Sequence, residues 1–314
     1  MTDTISVVSK VLPVILMIIL GNILQRTSFL KQNTIDELKK IVVNISLPSS
    51  LFLTFAETNF EARYLLIFIA VFFTCGIMLF LGMVFNTFTG LNNRYAPALF
   101  SGFEAGMMGY SIFVAVYGAE NMYKLAIIDL GQVTFVFFVL VSYLQRLNGE
   151  SANAKQLTLS FIKSPVILSI LSGIFIGSLG IIGPVKSFPL SNSILEMLKL
   201  ISNITVPVIC LVIGYELRVD LKNIKKPFLA AFTRLAVLLL IAFVLNTFLI
   251  EKVLHLDNTF KIALYTMFLL PPPFVIPIYM KDHDENNKQF ILNTISICII
   301  LALAAFLILI IIMH

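Results

Sequence analysis

Glu104 stands inside the apolar run ALFSGFEAGMMGYSIFVAVYG, two residues before Gly106 and five before Gly109. A carboxyl group can hold a proton or a small cation. Placed at membrane depth it is costly enough that a functional role is the default expectation. Its neighbours are residues that open helices: Gly102, Gly106 and Gly109 interrupt the run, with Tyr110 and Ser111 immediately after. A second interrupted stretch, LLPPPFVIPIYM from Leu269 to Met280, places Pro271, Pro272, Pro273 and Pro277 around Phe274. A proline inside a helix removes a backbone hydrogen bond and costs about 3 kcal/mol. Such breaks are tolerated in a bilayer only where they are buried in protein or line a wet cavity. Their loose N–H and C=O groups carry partial charges that can bind an anion or an ion.

Other polar groups lie within apolar runs. Asp129 and Gln132, three apart in IIDLGQVTF, share a helix face and either line a cavity or satisfy each other between helices. Asn44 and Ser46 precede Pro48, as Asn203 and Thr205 precede Pro207, and either give oxygens to an ion or staple helices. Arg234 sits about two turns inside a run, where it could hold an anionic group. Its long stem also lets it snorkel to the interface, and that is the expectation taken here. Glu57, Glu216 and Arg218 fall at run ends and are expected to be solvated. Cys75, Cys210 and Cys298 read as small buried apolar side chains, and His255, His283 and His314 fall in loops or at the end of the chain. No metal site, cofactor, nucleophile–base pair or phosphate-binding loop is expected, apart from a transported proton or sodium ion.

The elements that must position these groups are membrane helices. The 314 residues are 59% hydrophobic and 12% charged, without tryptophan, and the mean hydropathy is +0.97. Apolar blocks of about 20 residues, each long enough to span a bilayer, fall at about 5–25, 38–57, 62–86, 95–117, 121–144, 164–183, 194–217, 227–249, 259–280 and 290–313. The expectation is an all-α membrane protein of ten transmembrane helices. The first block follows MTDTIS, has no basic leader or small-residue cleavage site, and is read as a span, not a removable signal. Fourteen Lys and Arg flank the spans on one side, including Arg146, Arg218, Lys222, Lys225 and Lys226, against seven on the other. The bias puts both termini outside the cell. The net charge of +5 thus reports topology, and no nucleic-acid partner is expected.

The segments LKKIVVNISLPSSLFLTFAE and MLKLISNITVPVICLVIGYE align at a constant offset, so that Asn44, Ser46, Pro48 and Glu57 fall on Asn203, Thr205, Pro207 and Glu216. Segments alike in sequence but opposite in orientation imply two inverted five-helix repeats, residues 1–150 and 151–314. That organisation is common in secondary transporters, whose sites lie where broken helices of the two halves meet. The glycine-interrupted fourth span and the proline-broken ninth occupy matching places, and they are expected to unwind near Gly106–Tyr110 and Pro271–Phe274 and to cross close to the midplane.

From LGNILQRTSFL through N-I-S-L-P, both broken spans and DENNKQFILNTISICII, the chain resembles the auxin efflux carrier family, which includes bacterial malate and malonate permeases and plant PIN-type carriers. The resemblance implies a sodium/proton antiporter-type fold with crossed discontinuous helices four and nine. It also implies interleaved scaffold and transport parts, an elevator-like motion and a homodimer. One departure stands out: where the family commonly has Asn-Thr-Gly-x-x-Gly-x-Pro, this chain has EAGMMGYS. Glu104 replaces Asn and Ser111 the crossover Pro, while Gly106 and Gly109 keep their places. The functional expectation is a secondary active transporter of a small organic anion, a carboxylate or auxin-like acid, in the plasma or bacterial inner membrane. Gly106, Gly109, Tyr110, Ser111, Pro272, Pro273, Phe274, Asn44 and Asn203 are the expected substrate site. Glu104, Asp129, Gln132 and Thr205 are the expected proton or sodium site. A passive channel or a ligand sensor is the alternative.

Overall fold

The computed structural model describes residues 2–58, 60–150, 153–180, 182, 187–217, 224–280 and 285–313, and side chains from Leu12 to the last described residues apart from positions 285 and 286. Arg218, Lys222, His283, His314 and the proposed repeat boundary at 150/151 fall wholly or partly outside them. The described residues are helical, with no strand. In a hydrocarbon solvent each backbone group must bond within its own segment, which apolar helices achieve.

In chain order the helices are α1 (Thr2–Arg26), α2 (Gln32–Ala56), α3 (Tyr64–Phe88), α4 (Ala96–Tyr117), α5 (Ala119–Leu147), α6 (Ala154–Ile162), α7 (Pro165–Ser178), α8 (Pro189–Glu216), α9 (Lys225–Val253), α10 (Asn258–Leu269), α11 (Val275–Tyr279) and α12 (Glu285–Met313). Among the described residues seven helices are long and apolar enough to cross a membrane, or eight if α6 and α7, bent by 59° at Lys163–Ser164, count as one span. Two further expected spans remain. The first block, expected at 5–25, falls within α1, whose side chains are described only from Leu12, and the apolar helix Leu12–Arg26 is its described part. The block at 259–280 is split into α10 and α11 by the proline run.

The packing falls into two groups. In one, α1 lies on the second half of α8, and α2 lies on α7. Both seams are closed by glycine. A Cβ on Gly214 would stand 1.8 Å from the carbonyl of Ile18, and one on Gly21 would stand 2.1 Å from that of Leu211. On the other seam Gly173 and Gly177 would each place a Cβ within 3 Å of α2 carbonyls. Without a strong hydrophobic drive between helices in lipid, such close backbone approach supplies the dispersion that holds them. The second group joins α3 to α5 and to the start of α4, and α9 to α10 and α12. Apolar side chains left uncovered, among them Phe73, Phe80, Phe232 and Phe243, point away from both groups, as lipid-facing residues do.

Both N-I-S/T-x-P segments disturb their helices. Val42–Ser46 forms a π turn before Pro48, and Ile204 interrupts α8 before Pro207. Proline cannot donate to the carbonyl four residues back, and the ladder adjusts there. Ser46 and Thr205, one from each segment, hydrogen-bond to one another through their hydroxyls. At a helix end, Lys124 is buried and donates to Asp257 at 2.5 Å, lying also near the Tyr123 and Phe260 rings. Cys75, Cys210 and Cys298 are buried free thiols.

Candidate functional site

The two interruptions meet. In α4 a 3-10 turn over Ala96–Phe100 gives way to extended backbone at Ser101, and a π turn over Ala105–Gly109 leads into regular helix at Tyr110. The non-helical stretch is therefore Ser101–Glu104, upstream of the Gly106–Tyr110 position expected from sequence. Gly102 explains the shift. Its φ is +72°, a conformation that L side chains rarely adopt, and a Cβ there would also press on Pro273 at 3.0 Å. Gly109 serves by its smallness, since a Cβ would meet Leu270 Cδ1 at 2.6 Å. Between α10 and α11 the helix stops at Leu270, which is extended, and resumes only after Phe274.

Glu104 joins the breaks. Its N–H donates to Pro271 O at 2.9 Å. Its carboxylate accepts from Met107 N at 3.2 Å through Oε1 and from Phe274 N at 2.7 Å through Oε2. Three backbone groups freed by the breaks are thus matched to one another through a single residue. The residue is half-buried, while Pro271, Pro272 and Pro273 are buried.

Arg234 completes the junction and corrects the snorkelling expectation. It is 2% exposed, and its guanidinium donates to Leu270 O at 2.8 Å and to Gly102 O at 2.9 Å, one carbonyl from each break, with its carbon 5.5 Å from the centre of the Phe103 ring. Lipid headgroups offer a snorkelling arginine an exposed end. Here orphaned carbonyls offer two buried acceptors instead. One signal was available: two broken spans must leave carbonyls without partners, and Arg234 is the lone cation well inside a span.

The second polar cluster adjoins the first. Asp129, buried, accepts from Tyr110 OH at 2.8 Å and from Gln132 Nε2 at 2.5 Å, while Gln132 Oε1 accepts from Phe103 N at 3.2 Å. Of the two roles open to Asp129, the geometry gives it satisfied hydrogen bonds, one within α5 from Gln132 and one between helices from Tyr110, which ties α5 to the segment after the first break. Ser111 is fully buried, and its hydroxyl has no hydrogen-bond partner.

Other expected site residues lie elsewhere. Asn44 is exposed and donates to Lys40 O in its own helix. Asn203 lines an open cleft of about 640 Å³, and Thr205 is spent on Ser46. That cleft lies between α2, α3, α5 and α8 and is not bordered by either break. It gathers Glu57, Glu61, Glu120 and Glu196 around a single Lys199. Hydrogen bonding from Arg63, and then from Tyr64, holds the Glu61 carboxyl below its ordinary range, so it is ionised at neutral pH. Glu216, expected to be solvated, pairs with Lys39.

A family model for membrane transport proteins, the auxin efflux carriers, matches residues 6–313. The chain belongs to that family. It is therefore a multi-pass membrane transporter by family, and the family resemblance read from sequence stands. Among curated individual proteins, none matches the chain. The junction of the two breaks brings together half-buried Glu104, buried Arg234 and the backbone groups that the breaks leave outside helices.

Proposed function

We propose that the protein is a secondary active transporter of a small organic anion, coupled to a proton or sodium gradient, with its site where the two breaks meet. The observation that carries this reading is the Glu104 carboxylate bonded across the junction to Phe274 N. Charge at that point is stabilised by backbone from both broken spans, so occupation of the site and the relation between the spans depend on each other. Coupling requires that dependence. Glu104 is the proposed proton or cation carrier. Asp129, held by Tyr110 and Gln132, is the second group able to take a proton. Gly106, Gly109, Ser111, Pro272, Pro273 and Phe274 border the proposed substrate position.

The finer architecture is proposed on the same footing: ten spans in two inverted repeats, with residues 1–150 and 151–314 as the halves and the broken spans crossing. Support comes from packing. The pairs α1–α8 and α2–α7 exchange under a five-plus-five repeat, as do α3–α5 and α9–α12. Ser46 and Thr205, equivalent in the repeat alignment, touch each other, as residues near a pseudo-twofold axis do. External termini, alternating access by movement of the α3–α5 and α9–α12 group, and a homodimer complete the proposal.

The test is flux in proteoliposomes for carboxylates and auxin-like acids, with and without imposed proton and sodium gradients. Accumulation against a concentration gradient, abolished when the ion gradient is collapsed, is expected. Flux indifferent to every ion gradient would make the protein a channel, and binding without flux a sensor.

A further inference from the structure

Hydrogen-bond direction is fixed in the cluster around Asp129. Gln132 sits between two partners: its Oε1 accepts from Phe103 N at 3.2 Å, and its Nε2 donates to Asp129 Oδ1 at 2.5 Å. A peptide N–H can only donate, so the amide oxygen must face Phe103 and the amide NH2 must face Asp129. Turning the amide over would set two donors against each other at Phe103 and two acceptors at Asp129. Water cannot relieve that clash, because Gln132 is 5% exposed, Asp129 4% and Tyr110 1%. The helix has no room to turn either: a Cβ on Gly131 would lie 2.4 Å from Phe68 O, so α5 is pressed against α3 beside the amide. Asp129 Oδ1 therefore always meets a donor. Oδ2 meets the Tyr110 hydroxyl at 2.8 Å, a rotor able to donate or accept. Glu104 of α4 and Cys75 of α3 also stand within electrostatic reach of Asp129. The charged residues of α2 and α10, which pack on α5 too, lie near the starts of those helices, and Tyr265 of α10 makes no hydrogen bond to Asp129.

We propose that Gln132 is a positioning residue that makes Asp129 a one-sided proton acceptor, with the proton on Oδ2 and not on Oδ1. When the proton binds, Oδ2 becomes a donor and the Tyr110 oxygen its acceptor, and the phenol hydrogen turns away from Asp129. No other bond in the cluster changes. Phe103 belongs to the non-helical stretch of the first break, and Tyr110 opens the regular helix that follows it. Thus α5 holds α4 at two points, one in the break and one after it, and only the second answers to the proton. A hydrogen bond to an ionised oxygen is about twice as strong as a neutral one, so the second hold is firm with Asp129 charged and slack with it neutral. The use of this switch in transport rests on the proposed function, in which Asp129 is a proton-taking group. The one-sided arrangement does not.

The test is acid-induced infrared difference spectroscopy of the purified full-length protein in nanodiscs, with aspartate labelled by carbon-13 at its carboxyl group. The band lost in Asp129→Asn is the carbonyl stretch of protonated Asp129. With the proton on Oδ2 the carbonyl oxygen is Oδ1, which accepts from Gln132, and a hydrogen bond to a carbonyl lowers its stretching frequency. Gln132→Leu is therefore expected to move the band to higher wavenumber, whereas Tyr110→Phe leaves it in place. A band raised by Tyr110→Phe, or left in place by folded Gln132→Leu, overturns the proposal. So does a spectrum in which Asp129→Asn loses no band over the pH range where the protein stays folded. If Gln132→Leu does not fold, Tyr110→Phe decides alone: an unmoved band supports the one-sided acceptor and a raised one overturns it. Flux is read separately. Gradient-driven uptake with the opposite band pattern removes the Gln132 lock and leaves the transporter reading, whereas the expected pattern without flux does the reverse.

Discussion

Replacing Arg234 by methionine tests the junction most directly. The side chain keeps a similar apolar stem but loses the guanidinium that donates to Leu270 O at 2.8 Å and Gly102 O at 2.9 Å. Hydrogen bonds from a charged group contribute about 1.5–3 kcal/mol each. The hold of one break on the other should therefore weaken by about 3–6 kcal/mol. At about 1.4 kcal/mol per factor of ten, local opening becomes roughly 10²–10⁴ times more frequent. The amides to watch are Glu104, bonded to Pro271 O, and Phe274, bonded to Glu104 Oε2. Hydrogen exchange read by mass spectrometry in nanodiscs should show their protection falling by that factor, while α3 exchanges as before. The global unfolding midpoint should move less. Removing a cation that is 2% exposed and faces no carboxylate partner also recovers part of its desolvation cost, which is several kcal/mol for a buried ion. Unchanged exchange at both amides would refute the clamp. A loss of protection spread evenly over α3 would show general loosening instead.

Glu104→Gln keeps the shape but cannot take up or release a proton, so transport should lose its dependence on pH or on the coupling cation; unchanged dependence in flux assays would pass the role to Asp129. Tyr110→Phe removes the hydroxyl that donates to Asp129 and should lower the unfolding midpoint by about 2–6 °C, from a charged hydrogen bond of about 1.5–3 kcal/mol in part offset by relaxation. A double-mutant cycle of Ser46→Ala and Thr205→Ala should give a coupling of about 0.5–1.5 kcal/mol in unfolding free energy, and a value near zero would mean that the two hydroxyls act independently. A tag placed after His314 should be accessible on intact cells; labelling seen only after permeabilisation would reverse the proposed orientation.

The helices were legible where length and composition alone decide. The expected blocks at 62–86, 95–117 and 121–144 correspond to Tyr64–Phe88, Ala96–Tyr117 and Ala119–Leu147. The start of α2 was not legible. It begins at Gln32, before the expected 38, because QNTIDELKKI is polar. That stretch buries only Ile35, packed with Val212 and Tyr215 and flanked by half-buried Leu38. The proline run announced the second break at once. The first was misplaced because three glycines in one run look alike in sequence, and only backbone conformation separates Gly102, which needs a positive φ, from Gly109, which needs room. Asn44 and Asn203 were included through the repeat, but sequence periodicity does not say which side of a helix looks toward the junction. Arg234 was misjudged because its depth was read without asking which buried acceptors the breaks leave behind.

The inventory of buried charge also has an electrical side. Around the junction stand one guanidinium, Arg234, and two carboxyl groups, Glu104 and Asp129. With both carboxyls ionised the group carries a net charge of minus one, and a single proton cancels it. A unit charge carried across the full membrane potential gains or loses about 2.3 kcal/mol per 100 mV. A junction that shifts as a block with one proton aboard would be indifferent to voltage, and the same block without it would be driven in one direction. In the empty state of the proposed carrier, proton occupancy therefore decides whether the membrane potential acts on the moving part. A bound organic anion adds one further negative charge, and a voltage clamp without substrate would read out the state of two carboxyl groups.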